Sequence, residues 1–340
     1  MFVKQLALTN FRNYEAASVD FQPGVNLIIG PNGQGKTNLV EAIRYLSTLN
    51  SHRVTGYQAL IRKDQPSALV RSLIAHGDRE VLIELELNRT EQNRARVNRA
   101  SSARVRDILG YLNSVTFAPE DLDIVKRDPS NRRDFIDELI VQFWPRFAGI
   151  YSDFERALKQ RNNLLKSARA TGTRGSALST LDAWDESLVN YGAEIIAARV
   201  DLVNRIRPEL LLAYQAIAGA GQDTQIFVKS SILQDTADDP DEPMPEEYLE
   251  LTDRAEISTV FMDRLRQIRP KELERGITLI GPQRDDLALF LGDLPVKGFA
   301  SHGESWSYAL ALRLASANLL RAESRLGDPI IILDDVFAEL

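Results

Sequence analysis

The stretch Gly30-Pro31-Asn32-Gly33-Gln34-Gly35-Lys36-Thr37 constrains this chain more than any other. It satisfies G-x-x-x-x-G-K-[ST] and lies between two patterned segments. Before it runs Val25-Asn26-Leu27-Ile28-Ile29, a short apolar run that predicts a buried strand. After it, Leu39, Ala42, Ile43, Leu46 and Leu49 recur at helical spacing and predict a helix over 37–49. Glycines let backbone N–H groups turn inward and approach phosphate oxygens with no Cβ in the way. The positive end of the helix points at the same anion. In such a loop Lys36 reaches the β- and γ-phosphates and Thr37 holds Mg²⁺, while Gly30 to Asn38 wrap the nucleotide. The expected fold is therefore α/β.

A loop of this kind needs an acid on a neighbouring strand, and Ile330-Ile331-Ile332-Leu333-Asp334-Asp335 offers one. Four apolar residues predict a strand covered on both faces, with Asp334 at its C-terminal end to hold Mg²⁺. Asp335 is placed to orient or deprotonate an attacking water. A third element, Ser301-His302-Gly303-Glu304-Ser305, opens an apolar-periodic helix expected over 305–321. From the residues alone it is either a serine N-cap or a second phosphate-binding corner.

Between these elements the texture changes twice. Phe2, Leu6 and Leu8 alternate as in a strand, and residues 73–75 and 80–87 flank His76-Gly77-Asp78-Arg79 as in a hairpin. From 131 to 217 apolar residues recur at helical spacing, with a break over 171–176. That pattern predicts an antiparallel helical hairpin, too irregular for a long coiled coil. Strands are expected at 277–280 and 287–290. The predicted organisation is an N-terminal part over 1–128, a helical insert over 129–265 and a C-terminal part over 266–340.

Cysteine is absent and the three histidines (His52, His76, His302) form no spaced ligand set, which excludes disulfides and thiolate metal sites. No apolar run approaches bilayer length and the start lacks a secretory pattern, so a cytoplasmic protein is expected. The formal charge of −7 conceals segregation. Residues 235–256 hold ten acids against one arginine, a segment whose 235–245 part is expected to be a mobile loop. Residues 44–106 carry twelve basic residues against six acids. Nucleic-acid affinity comes mainly from phosphate neutralisation, which nominates Arg53, Arg62, Lys63, Arg71, Arg94, Arg96, Arg99, Arg104 and Arg106 as DNA contacts. Aromatics are sparse there, so tracking of a duplex backbone fits better than base stacking.

The P-loop, the Ser-x-Gly corner and the acid-ended strand, in that order, resemble the ABC-type, SMC-like ATPases of chromosome maintenance. Phe11 to Tyr14, Ser51-His52-Arg53, Phe117 to Leu122, Gly281 to Asp286, Ala309 to Leu312 and Asp334 to Leu340 are similar to motifs of the RecF family. The resemblance implies an ATPase head assembled from the N- and C-terminal parts with an inserted helical arm. It implies an ATP-dependent homodimer in which Ser301 and Gly303 act on the partner's nucleotide, and an Arg12 near the phosphates. It further implies weak, DNA-stimulated hydrolysis with ATP and Mg²⁺, and binding of double-stranded DNA near single-strand gaps. The implied partners are RecR, with RecO and RecA in the pathway, and the implied roles are gap repair, replication and the SOS response in a nucleoid-associated protein. Glu304 and Gln283 depart from the family pattern, and Asp335 stands where transport ATPases carry the longer glutamate. Other readings of the same residues are a different SMC-like DNA clamp or a P-loop small-molecule kinase.

Overall fold

The computed structural model describes residues 1–340 except 52, 55, 103, 172–178, 220, 234–249 and 337–340. The chain divides into two compact units, one of Met1–Asp121, Val141–Pro145 and Leu312–Leu340, the other of Leu122–Ile140 and Arg146–Ala311.

In the first unit β1 (Phe2–Phe11) and β2 (Tyr14–Asp20) are followed by helix α1 (Lys36–Thr48). Then come β3 (Ser67–His76), β4 (Arg79–Asn88), β5 (Arg94–Val97), β6 (Ala100–Ser101) and β7 (Ser114–Phe117). The first six strands form one antiparallel sheet in the order β2-β1-β3-β4-β5-β6. Its alternation explains its register. Leu6, Leu8, Val70, Ile74, Ile83, Leu85 and Leu87 are buried, and they share one core with Leu39, Ala42, Ile43 and Leu46 of α1. Each such side chain contributes about 1.5–3 kcal/mol on burial. The expected hairpin over 73–87 is the β3–β4 pair, turning at Gly77 with φ +57°.

The second unit begins with α2 (Leu122–Lys126), α3 (Pro129–Phe143), α4 (Phe147–Thr171) and α5 (Ser179–Ala218). Contacts between α4 and α5 run in opposite senses along the two helices. Arg161 bonds Asp185, while a Cβ on Gly192 would meet Phe154, so the pair is the expected antiparallel hairpin. The break at 172–178 lies outside the described residues. After β8 (Thr224–Lys229) comes α6 (Arg254–Arg275), capped by Asp253, whose side chain accepts the Glu256 N–H at 2.9 Å. The expected mobile loop at 235–245 is likewise outside the described residues. Glu250, in the same acidic stretch, is anchored by Arg207 Nη2 at 3.0 Å and the Val228 N–H at 3.0 Å. Strands β9 (Asp286–Leu291) and β10 (Leu294–Pro295) complete an antiparallel sheet β10-β9-β8. A short turn, α7 (Val296–Phe299), leads into α8 (His302–Glu323), which spans the helix expected over 305–321.

The last strand, β11 (Ile330–Leu333), pairs in parallel with β7, Ile330 opposite Ser114 and Leu333 opposite Phe117. Three strand expectations need correction. Val25 to Ile29 forms no strand, and Val25, Leu27 and Ile29 are 99%, 79% and 82% exposed, because no described strand pairs with the segment. β11 is not covered on both faces: Ile332 is buried, whereas Ile331 and Leu333 are exposed. Residues 277–280 are not a strand either, because their backbone donors bond to side chains. Thr278 N–H goes to Asn162 Oδ1 at 2.8 Å and Leu279 N–H to Glu272 Oε1 at 2.8 Å.

Candidate nucleotide site

The phosphate-binding loop has the backbone its glycines predict. Gly33 and Gly35 adopt φ of +80° and +98°, the left-handed region that side chains resist. Gly35 is also crowded, since a Cβ there would stand 2.7 Å from Asn13 Oδ1. Gly30, Pro31, Asn32 and Gln34 complete an exposed loop ahead of α1. The Lys36 ammonium folds back on this loop and donates to the carbonyls of Gly30 at 2.8 Å and Pro31 at 3.0 Å. Those carbonyl bonds hold the charge where an incoming phosphate can collect it.

Parallel pairing of β11 with β7 brings the C-terminal acids to this loop. Thr37 Oγ1 donates to Asp334 Oδ1 at 3.2 Å, joining residues 297 positions apart. A hydroxyl and a carboxylate side by side are the hard-oxygen donor set that Mg²⁺ takes, so the two residues fit the ion. Burial pushes the Asp334 carboxyl up from its ordinary value, and the charges of Asp335 and Glu120 push it further. The Thr37 hydrogen bond and the Arg53 charge oppose them. Asp335 is exposed and held at φ +49°, a strained conformation for a non-glycine residue beside a site. The Phe117 to Leu122 stretch sits at the same edge. Phe117 O accepts the Asp334 N–H at 2.9 Å, and Asp121 is pinned by Arg313 Nε and Nη2 at 2.9 and 2.8 Å. Glu120, inside this stretch, adds its charge at Asp334.

Arg12 occupies the turn after β1 at φ +53° and points at α1 rather than at open solvent. Its Nε and Nη2 donate to the two oxygens of Glu41 at 2.8 and 2.5 Å, and its Nη1 to Ala59 O at 3.2 Å. Asn38 donates to Asn13 at 2.8 Å and accepts from Arg53 Nη1 at 2.8 Å. Glu41 escaped sequence reasoning because a lone acid in an amphipathic helix reads as a solvent-facing position.

Ser301 and Gly303 lie in the second unit. Ser301 is the N-cap of α8: its N–H donates to Glu304 Oε2 at 2.7 Å and its Oγ accepts the Glu304 N–H at 3.2 Å. This reciprocal pair is a capping box, and it holds the Glu304 carboxyl below its ordinary value. Gly303 has neither a left-handed φ nor any atom within 4 Å of an added Cβ, so nothing described in this chain requires glycine there. The Gly281 to Asp286 motif is internal to the same unit, with buried Asp285 accepting the Ser231 N–H at 2.8 Å. Gln283 donates to Ile280 O at 2.9 Å.

Six of the nine basic nominees line two surfaces. Arg53 and Lys63 join Arg12 and Arg89 around a cavity of about 610 Å³ beside Asn13 and Asn38. Arg71, Arg94, Arg96 and Arg104 line a wider groove of about 1210 Å³ whose acids are Glu84, Glu86 and Glu91. There Arg71 pairs with Glu84 at 2.6 Å and Arg94 with Glu91 at 2.8 Å. Arg62 pairs with Glu15 at 3.3 Å, and Arg99 sits in the β5–β6 turn at φ +69°. Arg106 belongs to the short 3₁₀ turn that follows Arg104.

Comparison with known proteins decides the family. The profile described as RecF/RecN/SMC N terminal domain matches residues 2–340. The DNA replication and repair protein RecF of Clavibacter sepedonicus is 52% identical over 346 residues, covering all of this chain and 84% of that protein. RecF of Streptomyces avermitilis is 50% identical over 343 residues, with 100% and 87% covered. The chain belongs to the RecF family. Its fold agrees with the RecF branch: a solved structure of the recombination mediator protein RecF with ATP in the RecFOR pathway superposes with a TM-score of 0.89. That protein is 29% identical, over 100% of this chain and 86% of the other. A second, with ATPrS, gives 0.88 at the same identity and coverage. The RecF-family ATPase head is thus an α/β fold in which first and last motifs meet through β7 and β11. Among the described residues no helix is long and apolar enough to cross a membrane.

Proposed function

We propose that this chain is an ATP-dependent DNA-binding recombination mediator, in which the nucleotide acts as a switch. The observation that carries the reading is the 3.2 Å bond between Thr37 and Asp334 beside a loop whose glycines take left-handed backbone. The backbone N–H groups of Gly33 to Thr37 surround the phosphates, and Lys36 exchanges the carbonyls of Gly30 and Pro31 for phosphate oxygens. Thr37 and Asp334 would hold Mg²⁺, which supplies neutralisation of the phosphate charge. Asp335 orients the attacking water and takes its proton, and its short side chain keeps turnover slow.

Two copies close around two nucleotides, with Ser301 and Gly303 of one chain meeting the nucleotide of the other. The open space at Gly303 supports such an approach, and the capping box gives Ser301 a fixed direction. The dimer engages duplex DNA near single-strand gaps through its basic surfaces, and RecR, RecO and RecA act with it, as the names of its relatives and their pathway suggest. DNA stimulates the slow hydrolysis that releases the clamp. The division into an ATPase part at both chain ends and a helical insert belongs to the same reading.

Light scattering with and without Mg-ATP, beside a gapped-duplex titration, tests it. A doubling of mass coupled to tighter DNA binding is expected, and Lys36→Ala abolishes both. Nucleotide binding that ignores Lys36→Ala would sink the reading.

A further inference from the structure

Glu41 is a fully buried acid in the first unit. It lies on α1 one helical turn beyond Thr37, and its side chain is 0% exposed. A buried carboxylate is costly unless its lone pairs are filled by donors. Here they are filled by Arg12 Nε at 2.8 Å, Arg12 Nη2 at 2.5 Å and Ser51 Oγ at 2.6 Å, with Arg53 Nη1 further out at 3.5 Å. One acid thus faces two cations. Arg12 and Arg53 remain 16% and 36% exposed and line the cavity that also holds Asn13, Asn38, Lys63 and Arg89. Asn13 packs against Gly35 of the phosphate loop, Asn38 follows Thr37, and the charge of Arg53 is felt at Asp334. The cavity therefore adjoins the loop and the helix start together.

We propose that Glu41 is a positioning residue of the nucleotide site, fixing the guanidiniums of Arg12 and Arg53 as a preoriented cationic pair beside the phosphate loop. The bidentate Arg12 bond sets a plane as well as a distance, which a long flexible side chain does not hold unaided. Orientation settled before the ligand arrives is not charged against binding. The fold mounts the device on α1, the helix that carries Lys36 and Thr37, so its geometry is locked to theirs. The proposal rests on the nucleotide reading above and adds to it the residue that organises the cations.

The test titrates the full chain with a fluorescent ATP analogue and Mg²⁺. The isosteric Glu41→Gln should weaken binding about tenfold, as small misplacements of binding groups do, at a temperature where circular dichroism shows it folded. In a double-mutant cycle, Glu41→Gln should add little to the loss caused by Arg12→Gln or Arg53→Gln. Unchanged affinity in folded Glu41→Gln, or fully additive losses, overturns the proposal. Should Glu41→Gln not fold, Ser51→Ala takes its place: weaker nucleotide binding supports positioning and unchanged binding overturns it. Lys36→Ala separates the two levels. If it weakens binding while Glu41→Gln does not, this inference falls and the nucleotide reading stands. If it does not, the nucleotide reading fails first.

Discussion

Two buried arginine–carboxylate clusters, one in each unit, use the same groups with the roles reversed. In the second unit the cation is at the centre. Arg161 is 0% exposed and donates to Asp185 at 2.6 Å, Glu272 at 2.6 Å and Thr278 Oγ1 at 2.8 Å, tying α4, α5 and α6 together. In the first unit the acid is at the centre, and its arginines line a cavity. A central cation spends its donors on the fold. A central anion leaves positive charge facing solvent, where a phosphate can use it. The difference separates a structural device from one available for binding, and the fully buried Arg161 cluster costs more desolvation to build.

Arg161→Ala should have the largest effect, because it leaves the buried Glu272 without its cation and Asp185 with Arg269. A loss of about 3–5 kcal/mol is expected in denaturant unfolding, with nucleotide affinity retained in the folded fraction. A matching loss of affinity would break the comparison. Arg12→Ala comes next. It removes two charged hydrogen bonds from Glu41 and should cost about 1.5–3 kcal/mol, now accompanied by weaker nucleotide binding. A stability loss without a binding loss would make the two clusters alike.

Acid titration sharpens the contrast through sign. Burial pushes Glu41 up, but the bonds from Arg12 and Ser51 and the charges of Arg12 and Arg53 outweigh it and leave the carboxyl below its ordinary value. Its contribution is present above the unfolded carboxylate pKa of about 4.3 and lost as pH falls through the lower folded value. The stability gap between wild type and Glu41→Gln should therefore shrink from pH 7 towards pH 3. Glu272 is the reverse case: burial raises it, with the Asp185 charge adding to the rise against Arg161 and the Leu279 N–H. Its ionisation opposes folding above the folded value, and that penalty is relieved on acidification. A gap for Glu41→Gln that widens towards pH 3 would contradict the assignment. The smallest effect is expected for Arg71→Ala, whose pair with Glu84 leaves the arginine half exposed. Below about 1 kcal/mol should be lost, and DNA affinity should change less than for Lys63→Ala in a salt-controlled titration.

Most of the nucleotide site was legible in the chain because its parts are local. Gly33 and Gly35 announce left-handed backbone, and Ser301 with Glu304 three residues on spells a capping box. The strand over 277–280 misled because an apolar run records burial without recording where its N–H groups bond, and here they bond to Asn162 and Glu272. Val25 to Ile29 misled differently: the run is apolar, yet pairing requires a neighbour that sequence pattern does not supply. The basic block was visible as charge, but its division into two surfaces was not, since the partners Glu15, Glu84 and Glu91 come from separate strands and turns.

By itself the sequence determined the phosphate loop, the helix behind it, the acid-ended strand and the family, all set by short-range spacing and backbone preference. Only the tertiary structure decided that Asp334 meets Thr37, that Glu41 holds Arg12, and that Arg53 turns towards the site. Those choices depend on contacts between residues far apart in the chain, where the cost of burying one carboxylate is met by donors from two other segments.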